Sequence, residues 1–457
     1  MIHINSKIVA VAAVIVIAVA AVGAYFALGS SNDDSGEGGD SSVDVTFSYN
    51  TDVRLAIFGN ANGDDYINND DLTLLNKLIS GSVKFDPKVH SFADANADGV
   101  LDSKDVDLLK TIIAKQPCTM YYWSCAKEVA SIDYPLTGKI GTHHMYPIDA
   151  MIILGLYDRV IATSHLTFQN SISVDGLRYP GMGTSIVDVG SPWEDCQAAV
   201  KAGVNIWIEG GYSTARDYTT YKTVANAAGL NLQVINLYIT TYDVKCTEQN
   251  GTLLMLGVMF QCEEAAQRYV AWTDGVDKYI SDSVSKLGKD WTFLTPMGST
   301  SPNNISLDTV YTNGNMMGDV YTISRTGMKS VNTVVDSGCP AISLEEIYRL
   351  NPDVIVIIMF QTSEKSVEQI QSEFDAYAEI YKNTDAYKNG NIYGVNYYNI
   401  ACYAGSSELI LLSSYIWPEI FDEATGWEYL QYYYDNFTMY ENVDVSKMGN
   451  ALPFRMS

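Results

Sequence analysis

The feature that most constrains the fold is a twelve-residue polar pattern that begins at Asn60 and again, 34 residues later, at Asp94. In both copies, oxygen-bearing side chains occupy positions 1, 3, 5 and 12, and a backbone carbonyl is available at position 7. This spacing wraps hard oxygen ligands around one point, as six- to eight-coordinate Ca²⁺ requires. The predicted ligands are Asn60, Asn62, Asp64, Tyr66 and Asp71 in the first loop and Asp94, Asn96, Asp98, Val100 and Asp105 in the second.

Each loop leads into an amphipathic helix, because apolar residues recur at helical spacing after both loops and position 8 of each loop is also apolar. A solvated acidic turn that caps a helix explains one such loop, but it does not explain two in phase. The sequence therefore predicts two Ca²⁺ sites in a small all-α module of paired loops and helices at residues 51–117. The apolar residues are Ile67, Leu72, Leu75 and Ile79 in the first copy and Leu101, Val106, Leu109 and Ile113 in the second.

A duplicated calcium loop with aspartate at position 12 and one helix per loop resembles a dockerin, the module that docks onto cohesin domains. The resemblance covers about Val53 to Gln116 and implies a cohesin-type protein partner. The first loop departs from the family pattern at Asn60, where aspartate is usual, and at Asp65, where glycine is usual, whereas the second loop has Gly99. We therefore expect the first site to be the weaker one. The positions that face cohesin in dockerins are Asn69, Asp70, Ser103 and Lys104 here.

Residues Ile8 to Leu28 form an unbroken apolar run that follows Lys7 and precedes an acidic segment. At about 1.5 Å per residue, a helix of this length spans about 30 Å, the thickness of a bilayer core. The flanking charges place the bulk of the chain on the extracellular face of the membrane. The length favours an uncleaved anchor at residues 1–28 over a cleaved signal peptide, whose apolar region is shorter and whose removal would release a secreted protein. A flexible acidic linker is predicted at residues 29–50.

Charge and motifs argue against several functions. The formal net charge of −26 and the isoelectric point near 4.4 argue against a nucleic-acid partner, because phosphates attract Lys and Arg. The sequence contains no GxSxG elbow, P-loop, HExxH motif or CxxC pair. We therefore predict that the protein is not an enzyme.

The remainder of the chain alternates short β-like runs with helical stretches, which indicates α/β layers around mostly parallel sheets. A long helical segment, about Leu253 to Lys286, separates two such halves. The fold predicted is two α/β lobes joined by one long helix, with boundaries at 128–250 for the N-lobe, 251–288 for the linking helix, 289–440 for the C-lobe and 441–457 for a tail. The predicted strands are Arg159–Ser164, Val204–Gly210, Leu232–Ile239, Trp291–Pro296, Asp353–Phe360 and Asn391–Asn396.

Three stretches in this region carry recognisable motifs: Ile132–Ser164, Ile342–Ile358 (ISLEEIYRLNPDVIVII) and Ala386–Phe421. In order and spacing they resemble the iron-siderophore/cobalamin class of periplasmic-type binding proteins, over about Glu128 to Tyr440. The resemblance implies a substrate-binding protein of an ABC importer. Such a protein captures a metal chelate of the siderophore, haem or corrinoid type between its lobes and delivers it to the permease.

The resemblance also implies that an acidic residue on each lobe contacts the permease. Glu345 is the candidate on the C-lobe, and Glu194 is the candidate on the N-lobe. Each is equally explained as an acid near a helix N-terminus, where the helix dipole stabilises a negative charge.

Ligand contacts are expected at the carboxyl ends of the strands, where open α/β sheets bind ligands. The loop THHMYP holds two of the five His in the chain, and imidazole is a common metal ligand, although a solvent-exposed capping loop is the alternative. Two arginines near strand ends are candidate anion clamps or surface ion pairs. The candidate contacts are His143, His144, Met145, Tyr146, His165, Arg178, Tyr179, Glu209, Tyr212, Arg325, Tyr397 and Tyr398.

A function of a different class stays open from the sequence. The protein could be a cell-surface scaffold or adhesion protein that joins an extracellular complex through its calcium module. In that case the bilobal domain would serve a binding role other than transport.

Overall fold

The computed structural model describes most of the chain beyond the predicted anchor. The apolar run Ile8–Leu28 lies outside the described residues, and within them no helix is long and apolar enough to cross a membrane. The described residues are 42–44, 53–125, 127–165, 167–168, 179–191, 196–209, 225–226, 229–237, 246–298, 309–312, 318–331, 341–359, 365–400, 403–448 and 453–456.

The calcium loops are followed by two helices, α1 (Asn69–Ile79) and α2 (Ser103–Ile113). Both helices begin with a capping box, in which the position 12 aspartate accepts the backbone N–H of position 9 over 2.9 Å. Because the box satisfies N–H groups that have no partner inside the helix, it fixes where each helix starts. The same aspartate is also the last predicted calcium ligand, so the loop and its helix share one residue.

A two-residue strand from the linker completes the module. β1 (Val43–Asp44) pairs antiparallel with β2 (Val100–Leu101), which lies at positions 7 and 8 of the second loop. β1 belongs to the segment predicted as a flexible linker, and it forms a strand against the module. Beneath these elements lies a small core that includes Leu75, Leu78 and Leu109.

The N-lobe is built on a parallel sheet. A hairpin of β3 (Cys118–Trp123) and β4 (Val129–Tyr134) precedes it. The five strands of the sheet stand in the order β7-β6-β5-β8-β9, and all their pairings are parallel. The strands are β5 (Ile140–His143), β6 (Val160–Thr163), β7 (Val187–Asp188), β8 (Ile206–Glu209) and β9 (Gln233–Asn236), and the described helices are α3 (Tyr146–Ile153), α4 (Gln197–Lys201) and a 3₁₀ turn at Tyr157–Arg159.

The connection between the lobes consists of two helices, α5 (Cys246–Met259) and α6 (Glu263–Val284). The long helix predicted between the lobes is α6, and it begins at Glu263 rather than near Leu253, because Gln261 adopts a φ of +58° that interrupts a right-handed helix. α6 packs against α3 of the N-lobe and against the C-lobe helix at Gly405–Ile416. The ring of Trp272 on α6 stacks on the ring of Tyr433, which lies in the last helix of the C-lobe, with 6.0 Å between the two ring centroids.

The C-lobe is also built on a five-stranded sheet. Its strands are β10 (Thr292–Leu294), β12 (Lys329–Ser330), β14 (Val354–Met359), β15 (Ile392–Asn396) and β16 (Phe454–Arg455), and β11 (Thr309–Tyr311) and β13 (Ala341–Ser343) pair separately. The strand order is β12-β10-β14-β15-β16, with only β16 antiparallel to its neighbour. β16 lies within the predicted tail, so the tail contributes a strand to the lobe.

Helices cover the C-lobe sheet, and the last two of them are rich in buried side chains. The helices are α7 (Gly318–Ser324), α8 (Leu344–Leu350), α9 (Val367–Ala378), α10 (Asp385–Lys388), α11 (Tyr397–Ile400), α12 (Gly405–Ile416) and α13 (Glu423–Phe437), with 3₁₀ turns at Glu379–Tyr381 and Val445–Lys447. Two α/β lobes joined by a helix, preceded by a loop–helix module, is the predicted architecture. The six predicted strands correspond to β6, β8, β9, β10, β14 and β15.

Candidate functional site

The second calcium loop places its first ligand position in a buried setting. The backbone N–H of Gly99, whose φ is +90°, donates to Asp94 Oδ2 over 2.7 Å, and that of Asn96 donates to Asp105 Oδ1 over 3.1 Å. The other oxygen of Asp94, Oδ1, is buried and accepts no hydrogen bond from the described residues. Because a buried carboxylate oxygen without a donor is costly, this atom fits a cation ligand.

The loop carboxyls are electrostatically suited to a divalent cation. Burial raises the pKa of Asp94 to about 7; the hydrogen bond from Gly99 opposes this rise, and the nearby carboxylate of Asp105 adds to it. Burial also raises the pKa of Asp105, and in the first loop it raises the pKa of Asp71 to about 7. A bound Ca²⁺ offsets both the desolvation and the mutual repulsion of these groups.

The two loops share their geometry at positions 3, 5 and 7. The Asn62 and Asn96 amides donate to the carboxylates of Asp64 and Asp98 over 2.7 and 3.0 Å. The N–H groups at position 5 donate back to position 3, at 2.9 Å in both loops, and those at position 7 donate to position 5. Within the described residues no three His, Cys, Asp or Glu side chains form a metal cluster. The loops instead combine carboxylates with Asn side chains and a backbone carbonyl, as calcium loops do.

The first loop differs from the second at positions 1 and 6. Asn60 accepts the backbone N–H of Gly63 over 3.0 Å, and its amide donates to the carbonyl of Leu55 over 2.9 Å. At position 6, Asp65 forms an ion pair with Arg54, outside the loop. The first loop therefore differs from the second in its contacts at the two positions where its sequence departs from the family pattern. That it binds calcium more weakly stays a prediction.

In the N-lobe, a buried pair of polar side chains lies at the ends of two adjacent strands. His143 ends β5 and Glu209 ends β8, and the two residues are register partners. The Nδ1–H of His143 donates to Glu209 Oε1, and Trp207 Nε1 donates to Oε2 over 3.3 Å. A carboxylate that holds Nδ1–H fixes the tautomer and leaves the basic lone pair on Nε2.

The next residue, His144, is held in an unusual backbone conformation. Its φ is +75°, its backbone N–H donates to Thr167 Oγ1 over 2.6 Å, and its ring lies 4.3 Å from that of Tyr146. Burial, and secondarily the neighbouring His143, lowers the pKa of His144 to about 3, so the ring is neutral. The centroids of the two imidazole rings are 6.5 Å apart, and the ring planes stand at 72° to each other.

Two other candidates form ion pairs. His165 Nδ1 lies 2.5 Å from Asp188 Oδ2 at an exposed edge of the N-lobe. Arg325 follows α7 and pairs with Asp277 of α6. The structure thus brings His143, His144 and Glu209 together and places His165 and Arg325 in ion pairs, and a role of any of these in ligand binding stays a prediction.

The remaining candidates divide by burial. Met145, Tyr146, Tyr179 and Tyr397 are buried, whereas Glu345 is exposed in the first turn of α8. Arg178, Glu194, Tyr212 and the side chain of Tyr398 lie outside what the structure describes.

A crevice of about 10 Å³ lies between α3 of the N-lobe and the C-lobe, with room for about one water molecule. Sequence reasoning missed its residues because most of them lie on helices rather than at strand ends. The only sequence signal was the run YYYDNF that closes α13. The lining residues are Asp149, Ile152, Asn399, Ala404, Tyr433, Tyr434, Thr438 and Tyr440.

Comparison with known proteins agrees with both halves of this architecture. Residues 59–114 match the model of the Dockerin type I domain. The chain is similar to the crystal structure of the TroA-like periplasmic binding protein FepB from Veillonella parvula, with a TM-score of 0.60 and 14% identity over 74% of this chain and 99% of that one. A periplasmic solute binding protein from the same organism gives a TM-score of 0.53 and 14% identity over 72% of this chain and 97% of that one.

CeuE from Helicobacter pylori, crystallised as a nickel–histidine complex, is similar with a TM-score of 0.52 and 14% identity over 72% of this chain and 98% of that one. No curated protein sequence matches the chain. The chain therefore contains a segment similar to the dockerin type I domain and a bilobal fold similar to that of these periplasmic binding proteins.

Proposed function

We propose that this protein is the substrate-binding component of an ABC importer. It captures a metal chelate between its lobes and presents it to a permease on the extracellular face of the membrane, to which its N-terminal segment anchors it. Its dockerin module binds two Ca²⁺ ions and a cohesin-type protein. The protein acts by binding and not by catalysis.

The observation that carries this proposal is the position of the buried His143–Glu209 pair. It lies at the carboxyl ends of adjacent parallel strands, where ligands bind in open α/β sheets, and in a lobe that the long helix α6 links to its counterpart. An oriented imidazole next to a carboxylate is typical of metal and chelate recognition.

Capture of a chelate involves movement of the lobes in this proposal. The crevice between α3 and the C-lobe, of about 10 Å³, is far smaller than the roughly 300–1,000 Å³ of a small-molecule site and is not itself the chelate site. Opening of the lobes about α6 would expose the strand ends, and closure over the chelate would restore the buried setting of His143 and Glu209.

Two exposed surfaces suit the proposed partners. Glu345 projects from the first turn of α8, next to the cap that Ser343 provides, and is the candidate contact for the permease, with Glu194 on the other lobe. On the dockerin module, the four cohesin-facing positions, Asn69, Asp70, Ser103 and Lys104, are all exposed.

Native mass spectrometry of the full chain, isolated in detergent from its source membrane, tests the proposal. We expect two Ca²⁺ ions and one additional mass in the range of a siderophore, haem or corrinoid. Two Ca²⁺ ions with a co-purifying cohesin-type protein, but no chelate even after incubation with a ferric hydroxamate, a ferric catecholate, haem and cobalamin, would favour the scaffold function instead.

A further inference from the structure

The calcium module packs against the binding fold, and its first loop makes the central contact. Arg54 Nη1 donates to both carboxylate oxygens of Asp274 on α6, at 2.8 Å each. The same guanidinium donates through Nε to Asp65 Oδ1 over 3.1 Å and through Nη2 to Oδ2. Arg54 and Asp274 are 220 residues apart in sequence. One planar guanidinium thus links position 6 of a calcium loop to the helix between the lobes.

A second contact holds the backbone of the loop at the same place. Gln267, two turns before Asp274 on the same face of α6, donates through Nε2 to the backbone carbonyl of Asp65 over 2.6 Å. The next carbonyl along the chain, that of Tyr66, is the predicted backbone ligand at position 7. The carbonyl that contacts α6 and the carbonyl that is expected to bind calcium therefore belong to neighbouring peptide units, each of which is planar and rigid.

The segment that carries Arg54 is fixed by main-chain hydrogen bonds to the N-lobe hairpin. Phe58 N–H donates to the carbonyl of Tyr121 over 3.0 Å, and Trp123 N–H donates to the carbonyl of Ala56 over 2.9 Å. The side chains of this segment belong to the same apolar core as both lobes. The module is therefore joined to the binding fold through backbone pairing as well as through charge.

A glycine on α5 permits the close approach. A Cβ added to Gly251 would lie 2.4 Å from the carbonyl oxygen of Arg54, closer than real Cβ contacts. Glycine in a helix interior costs about 1 kcal/mol relative to alanine, so its presence here is explained by the packing of the module against α5.

We propose that Ca²⁺ in the first loop fastens the dockerin module onto α6, so that calcium occupancy governs how firmly the helix between the lobes is held. The partner of this surface is the chain's own binding fold. Asp65 replaces the usual glycine because its carboxylate serves the docking contact and not the cation. By linkage, docking and calcium binding reinforce each other to the same extent. The inference rests on calcium binding by the first loop, which is part of the proposed function, and it does not require a chelate.

Hydrogen–deuterium exchange of the full chain with and without millimolar Ca²⁺, with ions counted by native mass spectrometry on the same samples, tests this inference. In the wild type, calcium should slow amide exchange in Glu263–Val284 by about 5- to 100-fold, the range of typical coupling between sites. Asp65→Gly removes the docking carboxylate and restores the usual loop residue. This variant should keep two Ca²⁺ ions and lose most of the slowing.

Two further variants control the experiment. Gly251→Ala leaves the loop untouched and should also lose the slowing, which covers the case in which Asp65→Gly does not fold. Asp282→Asn removes an exposed ion pair with Lys278 on the same helix and should behave as the wild type. Two bound Ca²⁺ ions without slowing in the wild type, or full slowing in both Asp65→Gly and Gly251→Ala, would overturn the inference and leave chelate binding untouched. Failure to bind calcium would overturn it together with the calcium role of the module.

Discussion

The backbone N–H of Gly99 donates to Asp94 Oδ2 over 2.7 Å, while Oδ1 of the same carboxylate is buried without a donor among the described residues. One oxygen thus holds the loop and the other is available to a cation. The glycine is needed because its φ of +90° places this N–H towards Asp94. The relationship makes Asp94 the residue on which calcium binding by the second loop depends.

Replacement of Asp94 by asparagine should weaken the second calcium site by about 10- to 100-fold, because the amide oxygen can still accept from Gly99 but a charged ligand is lost. Calorimetric titration with Ca²⁺ measures the effect. Asp107→Asn is the control, since Asp107 is an exposed acid on the helix of the same loop and is not a predicted ligand. Equal affinity of both variants at the second site would contradict the assignment.

Glu209→Ala should lower the free energy of unfolding by about 1–3 kcal/mol, because it leaves the buried Nδ1–H of His143 without the carboxylate that accepts it. Asp188→Ala is a matched control on the same sheet, since it removes the acid from the exposed His165 pair and should cost only about 0–1 kcal/mol. Urea unfolding at fixed calcium compares the two. A similar loss in both variants would show that the buried pair has no special role in the fold.

His144 should make the fold sensitive to acid. Burial lowers its pKa to about 3 in the folded protein, whereas an unfolded histidine titrates near 6.5. Between these values the unfolded chain binds the proton and the folded chain does not. Stability is therefore unaffected by this group above about pH 6.5 and falls as the pH is lowered from there towards 3, by at most about 1.4 kcal/mol per pH unit.

The variant His144→Asn isolates this contribution, because asparagine tolerates the left-handed conformation and does not titrate. Urea unfolding at a series of pH values should give a shallower acid-side slope for the variant than for the wild type. Identical slopes would mean that His144 accepts a proton in the folded state.

Glu345→Gln should weaken productive contact with the permease by about tenfold while leaving chelate affinity unchanged, because the residue is exposed and is not one of the candidate ligand contacts. The measurement is the chelate-stimulated ATPase activity of the permease in vesicles. Glu346→Gln is the neighbouring control, since that carboxylate already pairs with Arg349 within the same helix. Equal effects of the two changes would indicate that Glu345 interacts only with the helix dipole and does not contact the permease.

Local signals predicted much of this structure. The loop ligands follow from a pattern within twelve residues of sequence. The helix starts follow from residues within one turn of each other, as the capping boxes of Asp71 and Asp105 show. The six predicted strands were found because buried parallel strands are short apolar runs. The family resemblance then ordered these strands into two lobes.

Long-range relationships could not be read from the sequence. Asp65 appeared there only as a departure from a pattern, since its partner Arg54 lies outside the loop and Asp274 lies 220 residues beyond Arg54. Adjacent His143 and His144 suggested a shared metal, which stays a prediction, and no local pattern recorded the positive φ of His144 or the 72° between the two ring planes. The interruption at Gln261 and the pairing of β16 with β15 likewise depend on packing that no local pattern records.

The most direct test of the central claim is titration of the full chain with chelates in millimolar Ca²⁺, followed by intrinsic Tyr and Trp fluorescence. The probes are a ferric hydroxamate, a ferric catecholate, haem and cobalamin. We predict that at least one binds at a 1:1 ratio with a Kd of about 1 µM or below, and that Glu209→Gln weakens this binding. No saturable response to any of the four at concentrations up to about 100 µM would contradict a role in chelate capture.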